Sequence, residues 1–201
     1  MIVVVGLPRL NRAHAAVAGA DAAGLAVAIA RAAAAGGAVV QLVGKIGDDP
    51  EGDAIVLDLA RSAIGHPAML RDPARRTPIG GRTEADRAPA PTLEPADLEL
   101  ALRYVPDFSV LVLAVPGLPK LIPAAVEAAG FAGAQLIVLT GTRSGQLPVP
   151  ESATLIAAPA RGGEGAFAAL VGAYAVALDA GVESVAAWRA ASNRLGLDPR
   201  A

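Results

Sequence analysis

The sequence predicts an α/β protein in which a mostly parallel sheet is covered by helices. Short apolar runs rich in β-branched residues alternate along the chain with longer, alanine-rich segments, and glycines separate many of them. This alternation is typical of strand–helix–strand units, whose strands run parallel. A chain of 201 residues is also long enough to bury a sizeable core. We therefore expect a single three-layer αβα domain over residues 1–201.

The first third of the chain is expected to contain two strands and two helices. In order, these are a strand at 2–5, a helix at 21–35, a strand at 38–43 and, after a loop at 44–52, a helix that ends near 65. Asp21 belongs to the residue types that cap helix N-termini, and Gly36 ends the pattern. Asp49 is expected to cap the second helix because Pro50 suits its first position.

The same alternation continues to the end of the chain. The expected strands are 108–115, 135–139 and 154–157, and the expected helices are 94–104, 119–129, 164–180 and 183–195. The single tryptophan, Trp188, falls on the last helix and is expected to pack in the core.

Residues 66–93 differ in character from the segments on either side. Their apolar runs are short, and arginines are interspersed with proline and glycine, namely Arg71, Arg75, Arg76, Arg82 and Arg87. One interpretation is a solvated loop with one or two edge strands. The other is a lid or loop insertion over 70–93, whose arginines meet an anionic ligand.

Composition excludes several kinds of site. The chain has no cysteine, so disulfides and thiolate metal sites are excluded, and His14 and His66 lack metal-ligand spacing. A formal net charge of -2 and an aromatic content of 3% argue against a nucleic-acid surface. No uninterrupted apolar run reaches the length of a membrane span, and the first residues are typical of a strand, not of a signal peptide. We expect a cytoplasmic protein with no metal site of its own and no nucleic-acid or membrane partner.

A glycine-rich turn before the long helix at 164–180 is the strongest candidate for a binding site. Gly162, Gly163 and Gly165 occupy three of four consecutive positions. Glycine lets backbone approach a ligand closely, and a helix N-terminus offers unpaired N–H groups and partial positive charge. The turn is thus a candidate anion cradle, although an ordinary glycine-rich entry into a buried helix fits the same pattern.

Two separated segments resemble the ribokinase-like (PfkB-type) family of sugar and nucleoside kinases. Residues 39–52 have the glycines and paired aspartates of a strand-to-helix signature, and residues 161–181 have the glycine turn and a long helix of small residues. Shorter stretches at 3–6, 26–31 and 190–196 fit the same plan. The resemblance implies a ribokinase-like fold, shortened mainly between 108 and 140.

The resemblance also implies a reaction, the transfer of a phosphoryl group from ATP, with Mg²⁺, to a sugar or nucleoside hydroxyl. The family's catalytic base is an aspartate in the glycine turn, and Gly165 occupies that position here. Glu164 stands one residue earlier and is the candidate for a displaced base. Loss of a positioned general base typically costs about 10²–10⁴ in rate.

Candidate acceptor-side residues depart from the family pattern as well. Asn11 stands nearest to the family's substrate aspartate, and it can bond a hydroxyl without bringing charge. The family's Gly-Gly followed by asparagine corresponds here to Gly19 and Ala20, with Gly24 at the asparagine position. The acceptor site implied by the resemblance has thus lost at least one polar anchor.

On the nucleotide side, the loop at 140–145 is similar to one that lies beside the nucleotide in the family. Thr140, Gly141 and Gly145 are therefore candidate contacts, although a simple connection after a strand fits them equally. Lys45 and Asp48 are further candidates for the phosphate region, but for Asp48 a structural role in the turn is favoured.

These departures predict a degenerate kinase homologue, a pseudokinase that binds a sugar, nucleoside or nucleotide, or a protein partner, without phosphotransfer. The alternative is an active ATP-dependent sugar or nucleoside kinase that uses Glu164 as its base. A plain dinucleotide-binding domain is disfavoured because Gly6 is not part of a Gly-x-Gly-x-x-Gly pattern. A homodimer is also expected, because a truncated sheet leaves edges or apolar faces that association would cover, and alanine-rich helices pack closely.

Overall fold

The computed structural model describes residues 1–12, 20–80, 89–141, 147–159 and 162–196. In chain order the strands are β1 (Ile2–Val5), β2 (Arg9–Arg12), β3 (Ala20–Ala23), β4 (Val40–Gly47), β5 (Met69–Asp72), β6 (Val110–Leu113), β7 (Gln135–Thr140) and β8 (Thr154–Ala157). The helices are α1 (Leu25–Ala35), α2 (Pro50–Arg61), α3 (Pro95–Arg103), α4 (Ile122–Ala132), α5 (Glu164–Asp179) and α6 (Ser184–Arg194), and a 3₁₀ turn (Pro119–Leu121) leads into α4.

Among these residues, six parallel strands form the central sheet in the order β5–β4–β1–β6–β7–β8. Strands β2 and β3 pair antiparallel as a separate hairpin between β1 and α1. Buried, β-branched strands covered on both faces are the arrangement that parallel sheets require. The predicted three-layer αβα architecture is confirmed.

The two faces of the sheet bury separate cores. Alternate residues of β1 show the division, since Ile2 and Val4 pack with α1, α2, α5 and α6, whereas Val3 and Val5 pack with α3 and α4. Such alternation follows from the period of two along a strand. Trp188 is partly buried against the first core and meets Tyr174 edge to face at 5.4 Å, in agreement with its expected role.

Several predicted boundaries were wrong: α2 ends at Arg61 and not near 65, α4 spans Ile122–Ala132 and not 119–129, and two further errors have clear causes. Asp21 does not cap a helix: it lies in β3, where it pairs with Asn11 of β2, and α1 begins at Leu25 after the N-cap residue Gly24. Neighbouring strands and a side chain of α2 hold Asp21 in extended structure, because Asp58 accepts a hydrogen bond of 2.8 Å from the N–H of Ala22. Likewise, β4 continues through the expected loop to Gly47, since β5 pairs with its last four residues.

The arginine-rich segment contains an edge strand and a contact with the hairpin. Strand β5 lies at one edge of the sheet, as expected for residues 66–93. Further on, Leu10 donates its N–H to the carbonyl of Pro78 at 2.8 Å and accepts from the N–H of Gly80 at 2.7 Å. Residues 78–80 therefore add a third strand-like segment to the hairpin. Among the described helices, none is both long and apolar enough to cross a membrane.

Candidate functional site

The carboxyl ends of the parallel strands meet at one edge of the sheet, and the nucleotide-side candidates lie there. Thr140 ends β7 and Gly141 follows it, while β8 ends at Ala157 before the glycine turn. The N–H of Ala158 donates to the carbonyl of Thr140 at 2.8 Å, which joins the two segments. Ligands of open α/β sheets bind at this edge. Gly145 lies outside the described residues.

The glycine turn places two residues with left-handed backbone directly before α5. Gly162 and Gly163 both have φ +69°, the left-handed region that glycine adopts without strain, and Gly163 is the N-cap residue of α5. Within the part of the chain that the structure describes, no side chain caps the first N–H groups of this helix. A Cβ built at Gly162, Gly163 or Gly165 would meet nothing within 4 Å, so the approach to the turn is open. Helix starts with free N–H groups bind phosphate in other proteins.

Glu164 and Gly165 form the first turn of α5, and both are exposed. Among the described residues, the Glu164 carboxylate has no hydrogen-bond or ion-pair partner that fixes its direction. A negative side chain in this turn stabilises the helix start through the dipole. Gly165, the next residue, has no side chain. The first turn of α5 therefore presents backbone N–H groups and the exposed carboxylate of Glu164.

Helices α1 and α5 begin side by side at this edge. An added Cβ at Gly172 of α5 would meet the Cβ of Ala32 at 2.7 Å, and one at Gly36 would meet Val176 at 3.0 Å. Both contacts join residues with the same offset in sequence, so the helices run in the same direction with their starts level. Gly24, before α1, lies against the segment that follows β1, since an added Cβ there would be 3.3 Å from the carbonyl of Leu7.

The end of β1 is closely packed against the start of α1. A Cβ at Gly6 would lie 2.1 Å from the Cβ of Ala26, so a side chain at this position is excluded. Gly24 itself has φ +113°, which permits the turn from β3 into the helix. These two glycines bring the helix start to the carboxyl edge, and the backbone geometry of the turn explains why residue 24 is glycine.

Asn11 lies on the hairpin and not on the sheet edge. It is exposed in β2, opposite Asp21, and a Cβ at Gly80 would come within 3.5 Å of its amide oxygen. The sequence places it after β1, and the hairpin carries it over α2 and the segment 78–80. Gly19 lies outside the described residues.

Lys45 and Asp48 are engaged in ion pairs within the chain. The Nζ of Lys45 lies 3.0 Å from a carboxylate oxygen of Asp97 on α3, and Asp48 lies 3.5 Å from Arg71. The Lys45 contact ties β4 to α3, so this residue is not free to neutralise a phosphate. For Asp48 the contact agrees with the structural role favoured from the sequence.

Asp49 anchors a network that sequence reasoning found only in part. It caps α2 as predicted, accepting from the N–H of Gly52 at 2.8 Å, and it also accepts from the N–H and hydroxyl of Thr77 at 2.8 and 2.6 Å. The Thr77 hydroxyl in turn accepts from the N–H of Gly47 at 2.9 Å. This network ties the segment that borders the hairpin to the end of β4. Thr77 was missed because nothing local in the arginine-rich segment marks a long-range partner.

The electrostatics of Asp49 follow from these bonds. Burial of the carboxylate by itself raises its pKa, but the hydrogen bonds from Thr77 and Gly52 and the nearby Arg76 outweigh burial and lower the pKa below 3.8. Asp49 is therefore a structural anion and not a proton-transfer group. Within the described ranges, no group of three or more His, Cys, Asp or Glu residues is arranged to hold a metal ion.

No protein-family model matches the chain, and no curated protein matches it in sequence. Solved structures do match. A protein named Sa239 aligns with 98% of this chain and 94% of its own, at a TM-score of 0.66 and 15% identity. A fructokinase with bound ATP from Xylella fastidiosa aligns with 99% of this chain but 62% of its own, at a TM-score of 0.52 and 17% identity.

A ribokinase from Giardia lamblia aligns with 73% of this chain and 52% of its own, at a TM-score of 0.51 and 13% identity. The chain thus spans nearly all of Sa239 and less than two thirds of these two sugar kinases. Identities this low establish a shared fold. The resemblance seen in the sequence is confirmed at that level: the chain has the ribokinase-like αβα fold.

Proposed function

We propose that this chain is a kinase-fold protein that binds a phosphate-bearing small molecule, with ATP as the first candidate, and does not transfer the phosphoryl group efficiently. The observation that carries the proposal is the pairing of an open glycine turn with Gly165 at the position of the family's base. The turn offers backbone N–H groups that can bind a phosphate. It lacks the carboxylate that would deprotonate an acceptor hydroxyl.

The phosphate half of the proposal rests on backbone groups. The uncapped N–H groups at the start of α5 and the two left-handed glycines before it offer donors and a positive dipole end. Thr140 and Gly141 border the same edge. Mg²⁺ bound with ATP would be held largely by phosphate oxygens and water, which suits the lack of a three-member acidic cluster among the described residues.

The loss of transfer is supported by side chains that are missing or redirected. Gly165 provides no carboxylate, and removal of a positioned base typically lowers the rate by about 10²–10⁴. On the acceptor side, Gly24 serves the turn into α1, and Asn11 lies on the hairpin, which with residues 78–80 we take as the cover of the acceptor site. A cytoplasmic location, where ATP is abundant, fits a nucleotide-binding role.

A calorimetric titration with ATP and Mg²⁺ tests the binding half. Gly163→Val forces a β-branched residue into the left-handed region and blocks the turn, so we expect the dissociation constant to rise by about tenfold or more. Gly133→Val is the matched control, since Gly133 also has positive φ and open surroundings but caps the far end of α4. Absence of ATP binding to the unaltered protein would contradict the proposal.

The second candidate function is an active sugar or nucleoside kinase with Glu164 as the base. It is favoured by one observation, the exposed Glu164 carboxylate in the first turn of α5, which has no partner among the described residues. A screen of ATP turnover over sugars and nucleosides decides it. Metal-dependent phosphorylation that Glu164→Gln abolishes, and that the exposed control Glu151→Gln leaves intact, would establish this function in place of the first.

A further inference from the structure

A second concave surface lies between α3 and α4, far from the glycine turn. It is an open groove of about 520 Å³ whose floor includes Leu102, Phe108 and Ala128. Phe108 precedes β6 and Ala132 precedes β7, so the groove opens near the amino ends of the strands. The glycine turn lies at their carboxyl ends. Nucleotide binding and any use of this groove are therefore separate properties.

A large aromatic side chain stands on the rim of this groove. Phe131, in the last turn of α4, is 96% exposed. Full burial of such a side chain is worth about 1.5–3 kcal/mol, so its exposure beside an apolar concavity favours association. The patch thus presents a projecting ring and an apolar recess next to each other.

Charged residues of both signs line the two walls. Glu99 and Arg103 lie one turn apart on α3, and Glu127 lies one turn before Phe131 on α4. Among the described residues, none of the three charged side chains forms an ion pair within the chain. As far as the described residues go, these three charges remain available for contacts with another molecule.

We propose that this groove is the interface of a two-fold homodimer in which Phe131 of each copy enters the groove of the other. A two-fold interface must be self-complementary, because every contact of residue i with residue j is repeated as j with i. A ring beside a recess, and an arginine on the α3 wall with a glutamate on the α4 wall, meet that requirement within one patch. Arg103 of one copy then faces Glu127 of the second copy.

We favour a second copy over an unrelated peptide because one patch contains both members of each proposed contact: the Phe131 ring and the apolar recess, and Arg103 and Glu127. The alanine-rich helices α1 and α5, expected from the sequence to serve association, are instead packed on each other within the chain. We therefore assign the dimer interface to the α3–α4 groove and not to α1 and α5.

Sedimentation equilibrium across a concentration series tests the interface. We expect the unaltered chain to show twice its mass of 20.0 kDa, and Phe131→Ser to raise the dimer dissociation constant at least about 30-fold, the factor of a central interface residue. Leu57→Ser is the matched control, since Leu57 is 52% exposed on α2, away from the groove. Circular dichroism verifies that each variant is folded.

A charge exchange makes the test specific to the proposed pairing. Arg103→Glu and Glu127→Arg each place like charges across the two-fold axis, so each variant alone is expected to be monomeric. Mixed together, they restore two opposite-charge contacts and are expected to form a heterodimer. The proposal is overturned by a monomeric unaltered chain at about 100 μM, a range in which even weak specific dimers assemble, by a dimer that survives Phe131→Ser, or by a mixture that remains monomeric.

Discussion

Asp49 is a buried carboxylate, 5% exposed, whose hydrogen bonds join three segments of the chain. Asparagine at this position can still cap α2, but its NH₂ group opposes one of the donors from Thr77. We expect Asp49→Asn to lower the free energy of unfolding by about 1–3 kcal/mol at neutral pH. Denaturant unfolding measures this loss of stability. Asp48→Asn is the control, because among the described residues the exposed Asp48 side chain makes only a long surface contact with Arg71. Equal losses for the two variants would contradict the assigned role.

The same carboxylate predicts a pH dependence. Because the pKa of Asp49 is lowered in the folded state, its contribution is complete above its ordinary value of 3.8 and is lost as the pH falls through the lower folded value. The difference in stability between the unaltered chain and Asp49→Asn is therefore expected to shrink below about pH 4. Unfolding measured from pH 3 to 7 checks this, and a difference that stays constant would count against a charged Asp49.

Three residues show which structural roles can be predicted from the neighbouring sequence and which cannot. Asp49 was found because its partner in the cap lies three residues away and Pro50 confirms the helix start. Asp21 misled because its residue type favours caps and hairpins alike, and only the pairing with β2 and the contact of Asp58 with Ala22 decide between them. Thr77 carried no local signal at all.

At the scale of elements, α1 and α5 depend on the smallness of their contacting residues. A methyl group at Gly172 would lie 2.7 Å from Ala32 and 3.0 Å from the backbone of Ala33. We expect Gly172→Ala to destabilise the chain by about 1–2 kcal/mol, because overpacking outweighs the gain in helix propensity.

The matched control is the same substitution on α4, where Gly130 has nothing within 4 Å of an added Cβ. Gly130→Ala is expected to stabilise by about 0.5–1 kcal/mol through helix propensity. Thermal unfolding of both variants checks that Gly172→Ala lowers the melting temperature and Gly130→Ala raises it. A stabilising Gly172→Ala would show that α1 and α5 do not pack as closely as described.

Elements with a strong apolar run and clear terminators were predicted well. Strand β8 and the capped start of α2 agree with expectation, α5 begins at the predicted residue, and α3 begins within one residue of its predicted start. The hairpin was not predicted, because two four-residue strands of mixed composition show no period that distinguishes them from a loop. The length of β4 was underestimated because two glycines and a lysine surround Ile46 in its last four residues, and pairing with β5 holds this segment in the strand.

At the scale of the whole molecule, the parallel order of the strands assembles the candidate site. Residues far apart in sequence, at Gly6, Gly24, Thr140 and Gly163, reach one edge because all six strands point the same way. Strand and helix alternation predicted this edge from the sequence. The level starts of α1 and α5 could not be predicted, since they depend on which small residues of one helix meet which of the other.

The initial rate of phosphoryl transfer from ATP, measured for the unaltered chain and for Gly165→Asp, tests most directly whether a missing base explains the proposed loss of activity. Gly165 has open surroundings and a φ outside the left-handed region, so aspartate fits there without strain. We predict a rate near background for the unaltered chain and an increase of about 10²-fold or more with Gly165→Asp. Transfer by the unaltered chain that Gly165→Asp fails to raise, and that Glu164→Gln removes, would contradict it.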